Sequence, residues 1–264
     1  SKLKYYKLYI EKSLDLLIDI EKYIDSKYFI NFNEKHVSNL FFNEDGSMKS
    51  NDINLVNKLV LLQSVTGTGK TTFLKYFRKA YNCKLISIVS RVSLSYLHQK
   101  EFDLTNYQDI KDKKLDIVFD AVYQADSLDM IPYNFNKLQY TYDPSNEVDD
   151  TEEDEELNNF KAIIRDLELL ENNVSTEKYI VFIDEVFSAS DHLLNKMPKM
   201  TEKRLDIIDK FAYIIDNAEL VIGTDNNIPT CCVKFLQQLT NKEIVFYKNN
   251  YIPNNSNIPV NVYE

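Results

Sequence analysis

Residues 58–74 read KLVLLQSVTGTGKTTFL, an apolar run that passes through a glycine-containing turn into a helical pattern. Gly67 and Gly69 flank Thr68 directly before Lys70, although the whole chain has only four glycines in 264 residues. This order is typical of a phosphate-binding loop between a strand and a helix, with Ser64 where the common pattern has glycine. A glycine- and threonine-rich turn without a ligand is the alternative interpretation.

The chemistry of phosphate binding explains the spacing. Glycines let the backbone wrap closely around a phosphate with its N–H groups pointing inward, and the positive end of the following helix dipole faces the same anion. Lys70 can reach the β- and γ-phosphates of ATP, and the Thr71 hydroxyl can ligate Mg²⁺. The predicted nucleotide-binding residues are Ser64, Val65, Thr66, Gly67, Thr68, Gly69, Lys70, Thr71 and Thr72.

A second acidic motif follows the apolar strand at 179–183, where the chain continues with Asp184 and Glu185. Two acids after a strand are common and are often only solvated. Behind a phosphate loop, Asp184 is predicted to hold Mg²⁺ through its water shell, and Glu185 to deprotonate the attacking water. We therefore predict ATP and Mg²⁺ as cofactors and expect the two strands that carry these motifs to be neighbours. Lys70, Asp184 and Glu185 are the predicted catalytic residues, and Thr71 and Asp184 the predicted metal ligands.

Apolar strands alternate with amphipathic helices after residue 55, which predicts an α/β fold with a mostly parallel sheet covered by helices on both faces. Ligands in such sheets bind at the carboxyl ends of the strands. The predicted strands are 58–63, 84–89, 116–123, 179–183, 219–225 and 243–247, and the predicted helices are about 70–80, 92–100, 157–172, 201–217 and 229–239.

The predicted organisation has two parts. Residues 1–54 form an N-terminal helical extension, with helical spacing over 1–30, followed by a connector rich in turn-forming residues. Residues 55–264 form the main domain, interrupted by an acidic loop at about 140–156. Eight carboxylates lie at 147–156 without a base, so most of the net charge of −10 is local. That charge argues against a broad basic nucleic-acid platform and leaves a local groove open.

Composition also bears on the cellular location. No apolar run approaches the roughly 18 residues that span a bilayer, so we expect no membrane association and a soluble, intracellular protein. The three cysteines (Cys83, Cys231 and Cys232) suit small buried residues in a reducing compartment better than a disulfide framework. The sequence disfavours two other classes of nucleotide-binding enzyme. It lacks the Asn-Lys-x-Asp element of guanine-specific enzymes, and it has few arginines for the lid of a nucleoside kinase.

Three further elements lie after predicted strands: Ser90-Arg91-Val92-Ser93-Leu94, Gln124-Ala125-Asp126-Ser127-Leu128 and Gly223-Thr224-Asp225. Together with Ser64–Thr71 as motif I and Ile183-Asp184-Glu185-Val186 as motif II, their order resembles the first RecA-like domain of superfamily-2 helicases. It is most similar to the herpesvirus-type replication origin-binding helicases of large DNA viruses. The match is partial at Phe187, where that family has Glu, and at Asn227, where it has a second Asp.

The resemblance implies a RecA-like P-loop NTPase domain that couples ATP hydrolysis to DNA binding or unwinding. It implies that Arg91, Ser93, Gln124 and Ser127 bind the phosphates of a DNA strand in a local groove, and that Asp225 couples nucleotide state to DNA grip. Read without the resemblance, Arg91 suits a surface salt bridge, Ser93 a helix cap and Asp225 a turn. If the protein is viral, its place is a replication site or the host cytoplasm or nucleus.

A second RecA-like domain, which would supply arginine fingers, is not found after residue 228. We expect a longer chain or another subunit to supply it, and weak ATPase activity without it. Two alternatives remain: a standalone ATP-dependent switch or assembly factor without unwinding activity, and a degenerate nucleotide-binding module kept for protein contacts.

Overall fold

The structure, a computed structural model of the chain, describes residues 24–49, 54–133, 135, 177–194 and 203–253. Its contacts divide the chain into two units, one of residues 1–131 with 179–264 and one of residues 132–178. All strands and helices named below belong to the first unit. The predicted helix before residue 24, the acidic loop and the predicted helix at 157–172 lie outside the described residues.

Strands and helices alternate along most of the first unit. The strands are β1 (Phe29–Phe32), β2 (Lys58–Gln63), β3 (Lys84–Val89), β4 (Thr105–Asn106), β5 (Ala121–Gln124), β6 (Tyr179–Asp184), β7 (Leu220–Asp225) and β8 (Glu243–Asn249). The α-helices are α1 (Ser38–Phe41), α2 (Lys70–Tyr81), α3 (Val92–Phe102), α4 (Tyr107–Lys113), α5 (Val186–Leu194), α6 (Arg204–Asn217) and α7 (Thr230–Leu239), and 3₁₀ helices span Ser26–Tyr28 and Ala125–Met130.

The eight described strands form one sheet in the order β1-β8-β2-β7-β6-β3-β5-β4, and every neighbouring pair is parallel. The predicted α/β class with a parallel sheet is therefore confirmed. In the described part of the chain, no helix is long and apolar enough to cross a membrane.

One face of the sheet is covered by the first three α-helices. Val60 of β2 and Phe182 of β6 are fully buried in a cluster with aromatic rings from these helices. Phe41 of α1 and Phe73 of α2 contribute to it, with their ring centroids 4.8 Å apart. This packing places α2 against β2 and thereby fixes both ends of the loop that joins them.

The opposite face carries α5 and α6. Gly223 of β7 lies against Leu61 of β2 and Val186 of α5. Tyr179 of β6 donates its hydroxyl hydrogen to the Ile214 carbonyl of α6 at 2.7 Å. Because both faces are covered, the central strands are continuous apolar runs rather than alternating ones.

The predicted helical spacing through residue 30 was wrong at its end, because Phe29–Phe32 is an edge strand. The ring of Phe29 stacks on Phe246 of β8 with centroids 5.3 Å apart. The apolar side chain of Phe29 therefore packs within the sheet and not on the face of a helix. The predicted boundary at 54/55 thus leaves β1 in the segment assigned to an extension, although it pairs with β8.

The predicted strand at 116–123 is shorter in the structure. Asp120 adopts a left-handed conformation (φ 52°), and extended structure begins only at Ala121. The Asp120 carboxylate accepts a hydrogen bond from the Leu85 backbone N–H at 3.1 Å and pairs with Arg78 at 2.8 Å. These contacts turn the chain before β5 starts.

The expectation that β2 and β6 are neighbours was also wrong, since β7 lies between them and pairs with both. A strand that comes later in the sequence can enter a parallel sheet between two earlier ones, because each parallel connection must cross over a face. The consequence for the site is that β7 contributes residues at its centre.

Candidate functional site

The predicted phosphate loop joins the end of β2 to the start of α2. Gly67 (φ 85°) and Gly69 (φ 76°) are both left-handed, a conformation that glycine adopts without steric cost. Gly69 is the residue before the helix, and the first turn of α2 contains no acidic side chain. An anion at this position would therefore meet the positive end of the helix dipole without competition from a neighbouring carboxylate.

Two hydroxyl side chains lie beneath this loop. Ser64 and Thr68 are each 1% exposed, with their hydroxyl oxygens 2.7 Å apart, and Thr68 also donates to the Val65 carbonyl at 2.8 Å. The amide of Asn249, at the end of β8, donates to Ser64 Oγ at 3.0 Å and to the Glu34 carbonyl at 2.7 Å. Ser64 and Thr68 thus shape the loop from inside instead of lining its cavity.

Lys70 points back over the loop. Its Nζ donates to the Ser64 carbonyl at 2.7 Å and lies 3.4 Å from the Val65 carbonyl. Burial lowers the pKa of Lys70, while the carboxylates of Asp184, Asp225 and Glu185 act in the opposite direction. A partly buried ammonium group among carbonyl oxygens is positioned to exchange these contacts for phosphate oxygens.

Asp184 ends β6 and is held on both carboxylate oxygens. Oδ1 accepts from Thr224 Oγ1 at 2.9 Å and from the Glu185 backbone N–H at 3.1 Å, and Oδ2 lies 3.0 Å from His98 Nε2. Burial opposes ionisation, but the contacts with His98, Thr224 and Lys70 hold the pKa of Asp184 below its ordinary value of 3.8. The group is therefore an anion at neutral pH.

Glu185 pairs with a residue from the neighbouring strand end. Its Oε1 accepts a hydrogen bond from the Arg91 guanidinium, and Ser90 Oγ lies 3.4 Å from Oε2. Glu185 itself has a left-handed backbone (φ 52°), which is uncommon for a residue with a side chain. Such strain persists where surrounding contacts fix it, and often at functional sites.

Asp225 lies at the end of β7, between the two motifs. Its Oδ2 accepts from the Phe187 backbone N–H at 3.0 Å, and its Oδ1 accepts from the Asn226 backbone N–H at 2.7 Å. The second contact is the turn interaction that the sequence alone allows. The first ties β7 to the start of α5 directly after Glu185.

These groups border one cavity of about 870 Å³ at the carboxyl ends of the strands. One wall is the phosphate loop with the start of α2, and the other is the end of β6 with the start of α5. Predicted site residues that line the cavity are Thr66, Gly67, Gly69, Lys70, Thr71, Thr72, Arg91, Asp184, Glu185 and Asp225.

The other predicted DNA-binding residues do not line this cavity. Gln124 donates its amide hydrogen to the Ser90 carbonyl at 3.2 Å and accepts from the Tyr107 hydroxyl at 2.8 Å. Ser127 is 8% exposed and donates to the Gln124 carbonyl at 2.8 Å. Ser93 is exposed on α3, where Arg91 and not Ser93 occupies the N-cap position.

Several residues that support the site were not among the site residues predicted from the sequence. His98 is fully buried on α3 and contacts Asp184, and Thr224 contacts the same carboxylate from β7. Asn249 supports Ser64 from β8. They lie 86, 40 and 185 residues from their partners, so only the fold brings them together.

The donor set suits a hard divalent cation. The Thr71 hydroxyl and the Asp184 carboxylate line the same cavity, and both offer oxygen ligands. Among the described residues, no group of three or more histidine, cysteine or acidic side chains forms a metal cluster. A nucleotide-bound Mg²⁺ needs none, because it takes one or two protein ligands and completes its shell with water and phosphate oxygens.

Searches of protein-family models and of curated proteins with this sequence find no match.

Proposed function

We propose that this chain is an ATP hydrolase with a RecA-like P-loop domain. The observation that carries the proposal is that Lys70 and Thr71 share one cavity with Asp184 and Glu185. That cavity lies at the carboxyl edge of a parallel sheet, where such folds bind nucleotides. A triphosphate would thus contact the loop with one side and the paired acids with the other.

The loop binds the phosphates through its backbone and one cation. The N–H groups around Gly67 and Gly69 surround the β-phosphate, and the dipole of α2 adds favourable charge. Lys70 exchanges its contact with the Ser64 carbonyl, now 2.7 Å, for β- and γ-phosphate oxygens. Ser64 and Thr68 keep the loop shape while the lysine moves.

Thr71 and Asp184 would hold Mg²⁺, Thr71 through its hydroxyl and Asp184 through its carboxylate. When bound, the ion neutralises charge that develops on the transferring phosphoryl group. Asp184 is suited to this task because Thr224 and His98 fix its carboxylate while leaving it ionised.

Glu185 acts as the general base towards water. Its Oε1 is paired with Arg91, and the Ser90 hydroxyl lies 3.4 Å from its Oε2. Because Arg91 pairs with Oε1 and fixes the orientation of the carboxylate, Oε2 is the oxygen that would accept a proton from a water in the cavity. Proton transfer to a positioned carboxylate contributes about 10²–10⁴-fold to a rate.

The DNA-directed part of the proposal rests on the motif resemblance. We propose a replication-type DNA helicase domain that works with a second RecA-like domain. Arg91 is the motif residue that connects ATP hydrolysis with DNA binding in this proposal. It borders the cavity, and its side chain is 61% exposed. A DNA phosphate that binds Arg91 would compete with Glu185 for its guanidinium.

The experiment is an ATPase assay with and without duplex DNA, on the wild type and two variants. We expect Lys70→Ala to abolish ATP binding. We expect Glu185→Gln to keep binding while turnover falls by about 10²-fold or more. Lys75→Ala is the matched control, because Lys75 lies on the same helix but pairs with Glu101 on the exposed surface.

Each result supports one of the candidate functions or rejects the proposed ATP site. Turnover that duplex DNA stimulates supports the helicase domain. Turnover that DNA leaves unchanged favours a standalone ATP-dependent switch. ATP binding without turnover, the same in Glu185→Gln as in the wild type, favours a degenerate module. Binding that survives Lys70→Ala would reject the placement of ATP in this cavity.

A further inference from the structure

We propose that His98, held by Ser87, is a positioning residue that fixes the metal-binding carboxylate of Asp184. This inference rests on the proposed function and concerns a residue outside every recognised motif. His98 lies in the middle of α3, and Ser87 lies in the middle of β3. Both are fully buried beneath the cavity.

Both ring nitrogens of His98 have partners. Nε2 lies 3.0 Å from Asp184 Oδ2, and Nδ1 lies 2.7 Å from Ser87 Oγ. An ionised carboxylate only accepts hydrogen bonds, so Nε2 is the nitrogen that carries the hydrogen. In the neutral ring Nδ1 is then the acceptor, so the Ser87 hydroxyl donates to it and favours the tautomer that donates to Asp184.

Aromatic neighbours fix the plane of the imidazole ring. Phe182 of β6 stacks on it with ring centroids 5.6 Å apart, and Phe102 of α3 meets it edge-on with centroids 5.2 Å apart. The ring therefore presents Nε2 in a constant direction. Because Thr224 and the Glu185 N–H hold the other carboxylate oxygen, Asp184 has little freedom to rotate.

Packing alone does not explain these two side chains. Ser87 lies between Ile86 and Ile88 in a fully buried stretch of β3, where an apolar residue would avoid the cost of burying a hydroxyl group. The Ser87–His98 pair leads from this core to a carboxylate that is 15% exposed and borders the cavity. In metal sites, groups that orient a ligand typically change metal affinity or activity by about 10–100-fold when removed.

The test measures how far Mg²⁺ strengthens binding of a fluorescent, non-hydrolysable ATP analogue. Affinity is measured by fluorescence anisotropy with Mg²⁺ and again with EDTA, and the ratio is the readout. We expect His98→Leu to lower this ratio about tenfold while the affinity in EDTA stays within about twofold. His98→Gln, whose amide keeps an N–H donor, should recover most of the loss.

Phe246→Leu is the matched control, because it removes a fully buried ring that stacks on Phe29 at the β1–β8 edge of the sheet, three strands away from β6 and Asp184. Its unfolding temperature should fall while the Mg²⁺ ratio keeps the wild-type value. Equal ratios in His98→Leu and Phe246→Leu would overturn the inference. If His98→Leu does not fold, Ser87→Ala takes its place: a ratio lowered about threefold supports the inference, and an unchanged ratio rejects it.

The wild type separates this inference from the proposed function. A wild-type protein that does not bind the analogue, or binds it equally with Mg²⁺ and EDTA, would overturn both. A wild type with a clear Mg²⁺ ratio that His98→Leu and Ser87→Ala leave unchanged would retain the proposed function and reject only the role of His98.

Discussion

Ser64 stands where the common phosphate-loop pattern has glycine, and its surroundings explain the difference. Its hydroxyl is buried and sits between Thr68 Oγ1 at 2.7 Å and the Asn249 amide at 3.0 Å. Asn249 also donates to the Glu34 carbonyl, so the side chain of Ser64 joins the loop to β8 and to the segment before α1. A glycine would leave the Asn249 amide without this acceptor.

We therefore expect Ser64→Ala to lower the free energy of unfolding by about 1–3 kcal/mol, because a buried donor loses its partner. Urea unfolding measures the change. Ser93→Ala is the control, since Ser93 is exposed on α3 and surface substitutions stay within about 0.5 kcal/mol. Equal unfolding free energies in the two variants would mean that the buried network contributes nothing to stability.

Local sequence was enough to identify the residues of the proposed phosphate loop, because phosphate binding requires a fixed order of residues in one short stretch. It was not enough to identify the residues that support them. His98 and Thr224 contact Asp184 from other elements, 86 and 40 residues away, and no spacing rule relates them. Arg91 was predicted to bind a DNA phosphate. The sequence could not show that its guanidinium pairs with Glu185, because only the adjacency of β3 and β6 brings the two together.

At the scale of elements, α5 packs closely on the sheet at Gly223 of β7. A methyl group at this position would come within 2.9 Å of Leu61 Cδ2 and 3.1 Å of Val186 Cγ2. Val186 begins α5 directly after Glu185, so the absence of a side chain at Gly223 lets α5 start close to the sheet. Any displacement of α5 would move the carboxylate of Glu185, the proposed general base.

Gly223→Ala should therefore lower the free energy of unfolding by about 1–3 kcal/mol through overpacking. It should also reduce ATP turnover more than ATP affinity, because the phosphate loop lies on a different strand. Urea unfolding and steady-state kinetics measure the two effects. A double variant, Gly223→Ala with Val186→Ala, should regain part of both losses; no recovery would argue that the clash lies elsewhere.

Near the far end of α5, a histidine lies close to a carboxylate. His192 Nε2 lies 3.5 Å from Asp126 Oδ2 of the 3₁₀ helix Ala125–Met130. The Asp126 carboxylate raises the pKa of His192 above its ordinary value of 6.5, against the effect of burial. A raised pKa in the folded state means that the pair stabilises the protein below about pH 6.5 and loses this effect as the pH rises through the folded-state pKa.

His192→Gln should accordingly lower the unfolding temperature more at about pH 5.5 than at about pH 8.5. A partly exposed pair contributes up to about 1 kcal/mol, which corresponds to roughly 2–4 °C in a domain of this size. Asp126→Asn should show the same pH dependence. If only one of the two variants shows it, another group must be the partner of the titrating residue.

The strands differed in how well their patterns predicted them. Buried central strands such as β2 and β6 are apolar runs bounded by polar residues, so their pattern is unambiguous. β1 has only four residues and lies at the sheet edge, where one partner strand decides its conformation. Strand order was not predictable either, because nothing in the sequence of β7 indicates that it enters between β2 and β6.

At the scale of the whole molecule, one ligand in the cavity would contact both halves of the sheet. Lys70 and Thr71 follow β2, and Asp184 and Glu185 follow β6, with β7 between. Any ligand that binds only the folded state stabilises it by RT ln(1 + [L]/Kd), or about 2.7 kcal/mol at a hundredfold excess over Kd. For a domain of this size, that corresponds to an increase in unfolding temperature of roughly 5–10 °C.

We expect a non-hydrolysable ATP analogue with Mg²⁺ to give this increase and EDTA to remove part of it, as measured by calorimetry. Lys70→Ala should abolish the increase under both conditions, because it removes the phosphate contact. Asp184→Asn should abolish only the part that requires Mg²⁺, and Lys75→Ala should change neither. Since the two walls of the cavity are separated by a strand, the two variants report on them independently. An Asp184→Asn protein with the full Mg²⁺-dependent increase would show that the acidic wall does not share the ion with the phosphate loop.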